Sequence, residues 1–158
     1  LAILAALLGQ KQLSTTKDYG PAPSGVTGVG RAIDGDSLHV GNSEVRLKGI
    51  DAPEGRQSCT RGGASWDCGN AARDELRRLI GKDMVTCQVL EKDKHARLLA
   101  RCAAGGRDLN SGMVAAGMAV AYGGYLREEG DAKTKKRGLW AGEFQSPRDW
   151  RHERGIGQ

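Results

Sequence analysis

The chain has 158 residues, enough for one domain with a sizeable core, and its 24 glycines favour many turns and short strands over long helices. A single phenylalanine leaves aliphatic side chains to fill the interior. The net charge of +5 fits either a soluble surface with a lysine and arginine excess or a polyanion partner, nucleic acid foremost, and the absence of any Cys-x-x-Cys pair argues against a zinc site.

Residues 1–9 are uniformly apolar except for the closing glycine. They are too few to span a bilayer, which needs about 20 residues, but they resemble the end of a signal peptide or membrane anchor. Cleaved signal and retained anchor both stay open. The expectation is an exported protein (periplasmic, secreted or envelope-anchored), with a possible membrane tether through this segment. Residues 10–25 are polar, interrupted by Pro21 and Pro23, and read as a linker. The domain is then expected over 26–150 and a polar tail over 151–158. No coiled-coil or self-pairing signal appears, so a monomer is expected.

Residues 26–32, 37–41 and 44–50 read as three short strands separated by the turn signals Asp34-Gly35 and Gly41-Asn42, a meander. Residues 55–69 form a long loop with two arginines and the first cysteine pair. Residues 70–80 are helical, with Asn70 as N-cap, Ala72, Leu76, Leu79 and Ile80 on one face, and Gly81 as the stop. Residues 84–90 and 98–103 are two more strands, joined by a charged turn. A short helix follows over 109–116, an extended or irregular stretch over 118–122, and a charged amphipathic helix over 126–137 stopped by Gly138. Leu139 and Trp140 dock back on the core, and Trp150 tethers the polar end. Five short strands, a helix between the third and fourth, and helices after the fifth predict an α+β domain built on a five-stranded OB-fold barrel with about three packed helices.

The stretch from Val45 to Glu54 organises the chemistry. Val45 and Leu47 alternate with Arg46 and Lys48 as in a half-buried strand. Gly49 and Pro53 then break the pattern, and Asp51 and Glu54 flank the break. Upstream, Asp34 and Asp36 flank Gly35. Read alone, Asp34-Gly35 is a tight turn whose acids satisfy backbone amides, and Asp51 and Glu54 are loop acids. Together they propose three or four oxygens at strand ends, which suits a hard cation such as calcium.

The cysteines are Cys59, Cys68, Cys87 and Cys102. An even count in a small chain fits disulfides in an oxidising compartment, with buried free thiols as the alternative. The favoured pairing is Cys59–Cys68, closing a glycine-rich loop, with Cys87–Cys102 linking two adjacent strands. His39, His95 and His152 stand apart from one another and read as surface residues. Trp66, Trp140 and Trp150 read as packing anchors. The basic run Lys133, Lys135, Lys136, Arg137 reads as a solvated helix face, with added phosphate contacts as the sharper alternative.

The residues from Ile33 to Ser37, from Arg46 to Glu54 and from Asp93 to Arg97, with Gly138-Leu139-Trp140 near the end, resemble the staphylococcal nuclease (thermonuclease) family. The resemblance runs from about Val26 to Trp150. It implies an OB-fold barrel and a calcium-dependent phosphodiesterase acting on DNA and RNA with little sequence preference, leaving 3′-phosphate ends. Carried over by residue, Asp36 and Asp51 match the calcium carboxylates, the Ala52 carbonyl a further ligand, and Asp34 an acid that shapes the metal site. Glu54 matches the glutamate that orients or deprotonates the attacking water. Arg46 and Arg97 match the phosphate-binding arginines, where the residues alone would allow a surface strand charge for Arg46 and a salt bridge to Asp93 or Glu91 for Arg97, and Lys94 and Tyr122 match nucleotide contacts. The chain departs from the pattern at His95, where a tyrosine is usual, and at Ala96, where a glycine is usual. Tyr125 falls one residue later than the second tyrosine of the best-known member. The competing reading is a noncatalytic OB-fold module that binds nucleic acid, and a weaker one is a structural envelope domain. The complete set Asp36, Arg46, Asp51, Glu54 and Arg97 favours the enzyme.

Overall fold

The computed structural model describes residues 23–157, so the apolar start and almost all of the expected linker lie outside the described residues. Three strands open the domain: β1 (Gly25–Ala32), β2 (Ser37–Val40) and β3 (Ser43–Leu47). They form the expected meander, with Leu38 facing Val45 across β2 and β3. A two-residue strand, β4 (Ile50–Asp51), follows at once. The stretch expected as a plain loop instead carries a hairpin, β5 (Cys59–Arg61) and β6 (Ala64–Trp66). Two glycines at its tip, Gly62 and Gly63, take the positive φ that such a tight reversal needs.

Helix α1 (Cys68–Ile80) starts two residues earlier than the sequence suggested. Asp67, not Asn70, caps it: the Asp67 carboxylate accepts from the Asn70 amide, so Asn70 lies inside the first turn. Strands β7 (Met84–Lys92) and β8 (Leu98–Ala104) come next, then the short β9 (Arg107–Asp108) and helix α2 (Leu109–Ala115). The stretch 118–122 contains β10 (Val120–Ala121), which pairs with β4. Helix α3 (Leu126–Thr134) is shorter than the sequence pattern. A 3-10 turn (Gly138–Ala141) then docks Leu139, and a fourth helix, α4 (Pro147–Glu153), ends the described chain.

The five long strands close into a barrel. β1 pairs antiparallel with both β2 and β7, β2 with β3, and β7 with β8. Parallel pairing of β3 with β8, Val45 opposite Leu98 and Leu47 opposite Ala100, shuts the ring. Inside lie Leu38, Val45, Leu47, Val85 and Ala100, with Leu76 of α1 and Leu109 and Met113 of α2 plugging the ends. Alternation along each strand delivers these side chains inward.

Both expected disulfides are present. Cys87–Cys102 ties β7 to β8 inside the core, and Cys59–Cys68 ties the hairpin to the start of α1 beside Leu139, Trp66 and Phe144. The three tryptophans pack as anchors, Trp140 meeting Phe144 edge-on. The basic run at the end of α3 and just beyond it is largely ion-paired back to the helix, Lys133 with Glu129 and both Lys135 and Arg137 with Asp131.

Fully buried Asn110 clamps the parallel closure. Its Oδ1 accepts from the Cys102 amide, and its Nδ2 donates to the carbonyls of Lys48 and Ala100. Truncation would take this partner from the Cys102 amide and the Lys48 carbonyl, while the Ala100 carbonyl keeps its bond from the Lys48 amide. Asn110→Ala is expected to cost about 3 kcal/mol, since each orphaned buried polar group costs roughly 1–3 kcal/mol. Urea unfolding with an unchanged midpoint would remove the clamp from the account of barrel closure.

Candidate active site

The charged cluster sits where β2, β3 and β4 end together. Asp36 enters from the turn before β2, Arg46 from β3 and Asp51 from β4. The turn holding Asp36 is fixed by Asp34, whose Oδ1 accepts from the Asp36 amide. It lies so close to the barrel that a Cβ on Gly35 would stand 2.6 Å from the Ala52 Cβ and 2.7 Å from that of Ala72. Only glycine allows that approach.

Asp36 and Asp51 are buried, 3% and 2% exposed, and both turn to one cation. Arg46 Nη2 donates to Asp36 Oδ2 at 3.2 Å and to Asp51 Oδ1 at 3.3 Å. The Ala52 amide adds a 2.8 Å bond to Asp36 Oδ2, and the Ser37 hydroxyl bonds Oδ1. Burial pushes the Asp36 carboxyl up to about 7. Arg46 and the Ala52 amide oppose the rise, while Asp34 and Asp51 reinforce it.

Glu54 lies on the loop after β4, and that loop is held by Gln57, a residue the sequence reading passed over. Fully buried Gln57 accepts from the Glu54 amide and donates to the Gln145 carbonyl at 2.7 Å. Helix α1 presses against the same loop, where a Cβ on Gly69 would stand 2.0 Å from the Glu54 carbonyl oxygen. The loop is therefore pinned from two sides.

The larger surprise is Arg151. A tail was expected to begin at this residue, but α4 runs across that position and sends the Arg151 guanidinium into the acid cluster. Nη1 donates to Asp51 Oδ1 at 2.9 Å and to Glu54 Oε1 at 2.8 Å, and Nη2 donates to Asp51 Oδ2 at 3.1 Å. The bonds to Asp51, and secondarily to Glu54, hold this guanidinium protonated more firmly than usual, against the opposing effect of burial. No local pattern marks Arg151. It is one of three arginines in a seven-residue stretch, and its partner Asp51 is 100 residues away.

The structure thus brings Asp34, Asp36, Arg46, Asp51, Ala52 and Glu54 together. It does not join the remaining expected residues to them by any hydrogen bond or ion pair. Arg97 folds back on its own turn, Nε donating to Asp93 Oδ2 at 2.8 Å. Ala96, standing where the resemblance leads one to expect glycine, takes a left-handed φ of 63° in that turn. Lys94 shares a shallow pocket with Arg97, Glu44, Ile156 and Gly157. Tyr122 is exposed and lines a separate pocket with Lys48, Arg101, Asp108 and Tyr125.

Among the described residues no three acidic, histidine or cysteine groups stand in a metal-holding arrangement, and the acids of the cluster are engaged by two guanidiniums. The donor chemistry nevertheless fits a hard cation. The side-chain donors are carboxylate oxygens, two of the carboxylates are buried, and they converge on positive charge. Arg46 and Arg151 mark where a cation is wanted.

Fold and site together define a class, the small OB-type barrels that gather acids and arginines at the end of the third strand. Residues 44–142 match the family model described as staphylococcal nuclease homologue, and the chain belongs to that family. Among its relatives, Protein ParB of Escherichia coli is 32% identical over 147 residues, covering 79% of this chain and 78% of ParB. The probable endonuclease lcl3 of Botryotinia fuckeliana is 29% identical over 137 residues, covering 75% of this chain and 51% of lcl3. The staphylococcal-like nuclease CAN1 of Arabidopsis thaliana is 27% identical over 114 residues, covering 68% of this chain and 32% of CAN1. The chain thus spans about half or less of the length of several relatives it matches.

The raised Asp36 carboxyl predicts a pH signature in metal-free protein. Between about pH 4 and 7 the folded state keeps a proton that the unfolded chain has lost, so this group's contribution to stability falls as pH rises through that window. Relative to Asp36→Asn, the wild type is expected to lose up to about 1.4 kcal/mol per pH unit there. Chemical unfolding of both proteins across the range tests this, and a flat difference would mean that Asp36 titrates as an ordinary carboxylate.

Proposed function

We propose that the protein is a calcium-dependent phosphodiesterase that hydrolyses DNA and RNA with little sequence preference. The observation that carries this reading is the convergence of buried Asp36 and Asp51 on Arg46, with Glu54 linked to the same group through Arg151. Family membership and the nuclease names of several relatives support it. Asp36, Asp51 and the Ala52 carbonyl would hold the ion, with Asp34 steadying the turn that presents Asp36. Bound there, calcium would supply Lewis-acid neutralisation of the phosphodiester charge.

The chain's own residues do the rest. Glu54, on its pinned loop, takes or aims the proton of the attacking water. Arg46, rooted in a barrel strand, donates to the phosphoryl oxygens as charge builds on them. Arg97 joins it once its guanidinium exchanges Asp93 for phosphate. Water forms the new bond to phosphorus opposite the 5′-oxygen. The bond to that oxygen breaks, its electron pair leaves with it, and solvent protonates it, giving 3′-phosphate and 5′-hydroxyl ends. Lys94 and Tyr122 contact the flanking nucleotide. The two disulfides support an oxidising, exported setting.

Digestion of single-stranded DNA and of RNA by the oxidised protein, with calcium and with a chelator, tests the reading. Cutting is expected only with calcium, and Glu54→Gln is expected to lower the rate at least about a hundredfold, the lower range for a placed general base. Salt-dependent binding without cutting by the wild type would overturn the enzyme and leave a binding module.

A further inference from the structure

The Arg151 guanidinium occupies the chemistry that a bound cation would use. It takes both oxygens of Asp51 in a fork and one oxygen of Glu54. With Arg46 it brings two positive charges against the three carboxylates Asp36, Asp51 and Glu54. In this arrangement Glu54 faces a guanidinium, and Asp51 has no uncommitted oxygen.

The helix that carries Arg151 has a small buried footprint. α4 has seven residues and buries only Pro147 and Trp150. The Ser146 hydroxyl caps its start, and the Gln57–Gln145 bond ties the preceding loop to the Glu54 loop. Its other cationic side chains, Arg148 and Arg154, lie on the exposed side, with Arg154 stacked 4.1 Å over the Trp150 ring. Just beyond it, Ile156 and Gly157 line both the groove beside Arg148 and Arg151 and the pocket beside Lys94 and Arg97. The end of the described chain thus lies between the acid cluster and the turn that presents Arg97.

We propose that Arg151 is a resident counter-cation that competes with the metal ion for Asp51 while it holds Glu54, making α4 a latch that metal binding releases. The inference rests on the metal reading of the site. A fork of charge-assisted bonds to a buried carboxylate is strong, and a metal ion gains Asp51 only by displacing it. Apparent metal affinity is then reduced by the fraction of molecules in which the fork is closed. Release turns Arg151 from the carboxylates toward solvent beside Arg148, where a polyanion favours the same open state. Metal and polynucleotide therefore assist one another's binding, as linkage requires.

Calcium titration by calorimetry, with no substrate present, tests the latch on wild type, Arg151→Gln, Arg151→Lys and Asp51→Asn. Arg151→Gln is expected to bind calcium at least tenfold more tightly than wild type. Arg151→Lys keeps the charge but not the fork, and is expected to fall between them. It also serves should the glutamine variant fail to fold. Melting without and with calcium gives a second readout: Arg151→Gln is expected to melt lower than wild type without calcium and to gain more from adding it. Equal calcium affinity in wild type and both Arg151 variants, with binding lost in Asp51→Asn, would overturn the latch and leave the metal site standing. No calcium binding by wild type or any variant at millimolar concentration would overturn the metal reading and the latch with it.

Discussion

The shared nitrogen of Arg46 is the constraint on which the site depends. Two carboxylates that are almost wholly out of water stand on either side of it. Buried alone, each would carry a desolvation penalty of several kcal/mol. Arg46 offsets part of that penalty, and only if β2, β3 and β4 hold their ends in fixed register. A slip of one residue in β3 would turn Arg46 to the interior and Val45 to the cluster. Closure of the barrel through β8 therefore sets the electrostatics as well as the shape.

Close approach is the second requirement, and small residues meet it. Gly35 lets the acidic turn lie against Ala52 and α1, and Gly69 lets the start of α1 lie on the Glu54 loop. Gln57 then spends its amide on that loop and on the chain leading into α4. These contacts bring carboxylates from different elements onto two guanidiniums. They also connect the Glu54 loop directly to the approach to α4, so a shift in one is felt by the other.

Much of this was legible in the sequence because it is periodic or local. The five barrel strands follow from alternation and turn signals, and α1 from its apolar face. The disulfides follow from cysteines placed on adjacent strands and across a short loop. Asp36, Arg46, Asp51 and Glu54 could be picked out because each lies near a strand end bounded by glycine or proline. What escaped reading depends on distant partners. The β5–β6 hairpin is three residues a side and, apart from its paired glycines, has no pattern of its own. Gln57 looks like any loop glutamine until Gln145 is beside it. Arg151 sits in a run of charged residues typical of a solvated tail, and only its distant partners in space distinguish it from Arg148 or Arg154. Arg97 shows the converse: both its place in the turn and a salt bridge to Asp93 were legible, and the structure takes the salt bridge.

The parallel pairing of β3 with β8 also has a consequence in time. It joins residue 45 to residue 98, and the Asp51–Arg151 fork joins residues 100 apart. Contacts of such long sequence separation must close large loops before they stabilise anything, which slows folding relative to a domain of local contacts. A ribosome therefore exposes Asp36, Arg46, Asp51 and Glu54 long before the strand and helix that enclose them exist. During synthesis these side chains are ordinary solvated charges on an open meander. The site comes into being late, only once the barrel has closed and α4 has folded over it.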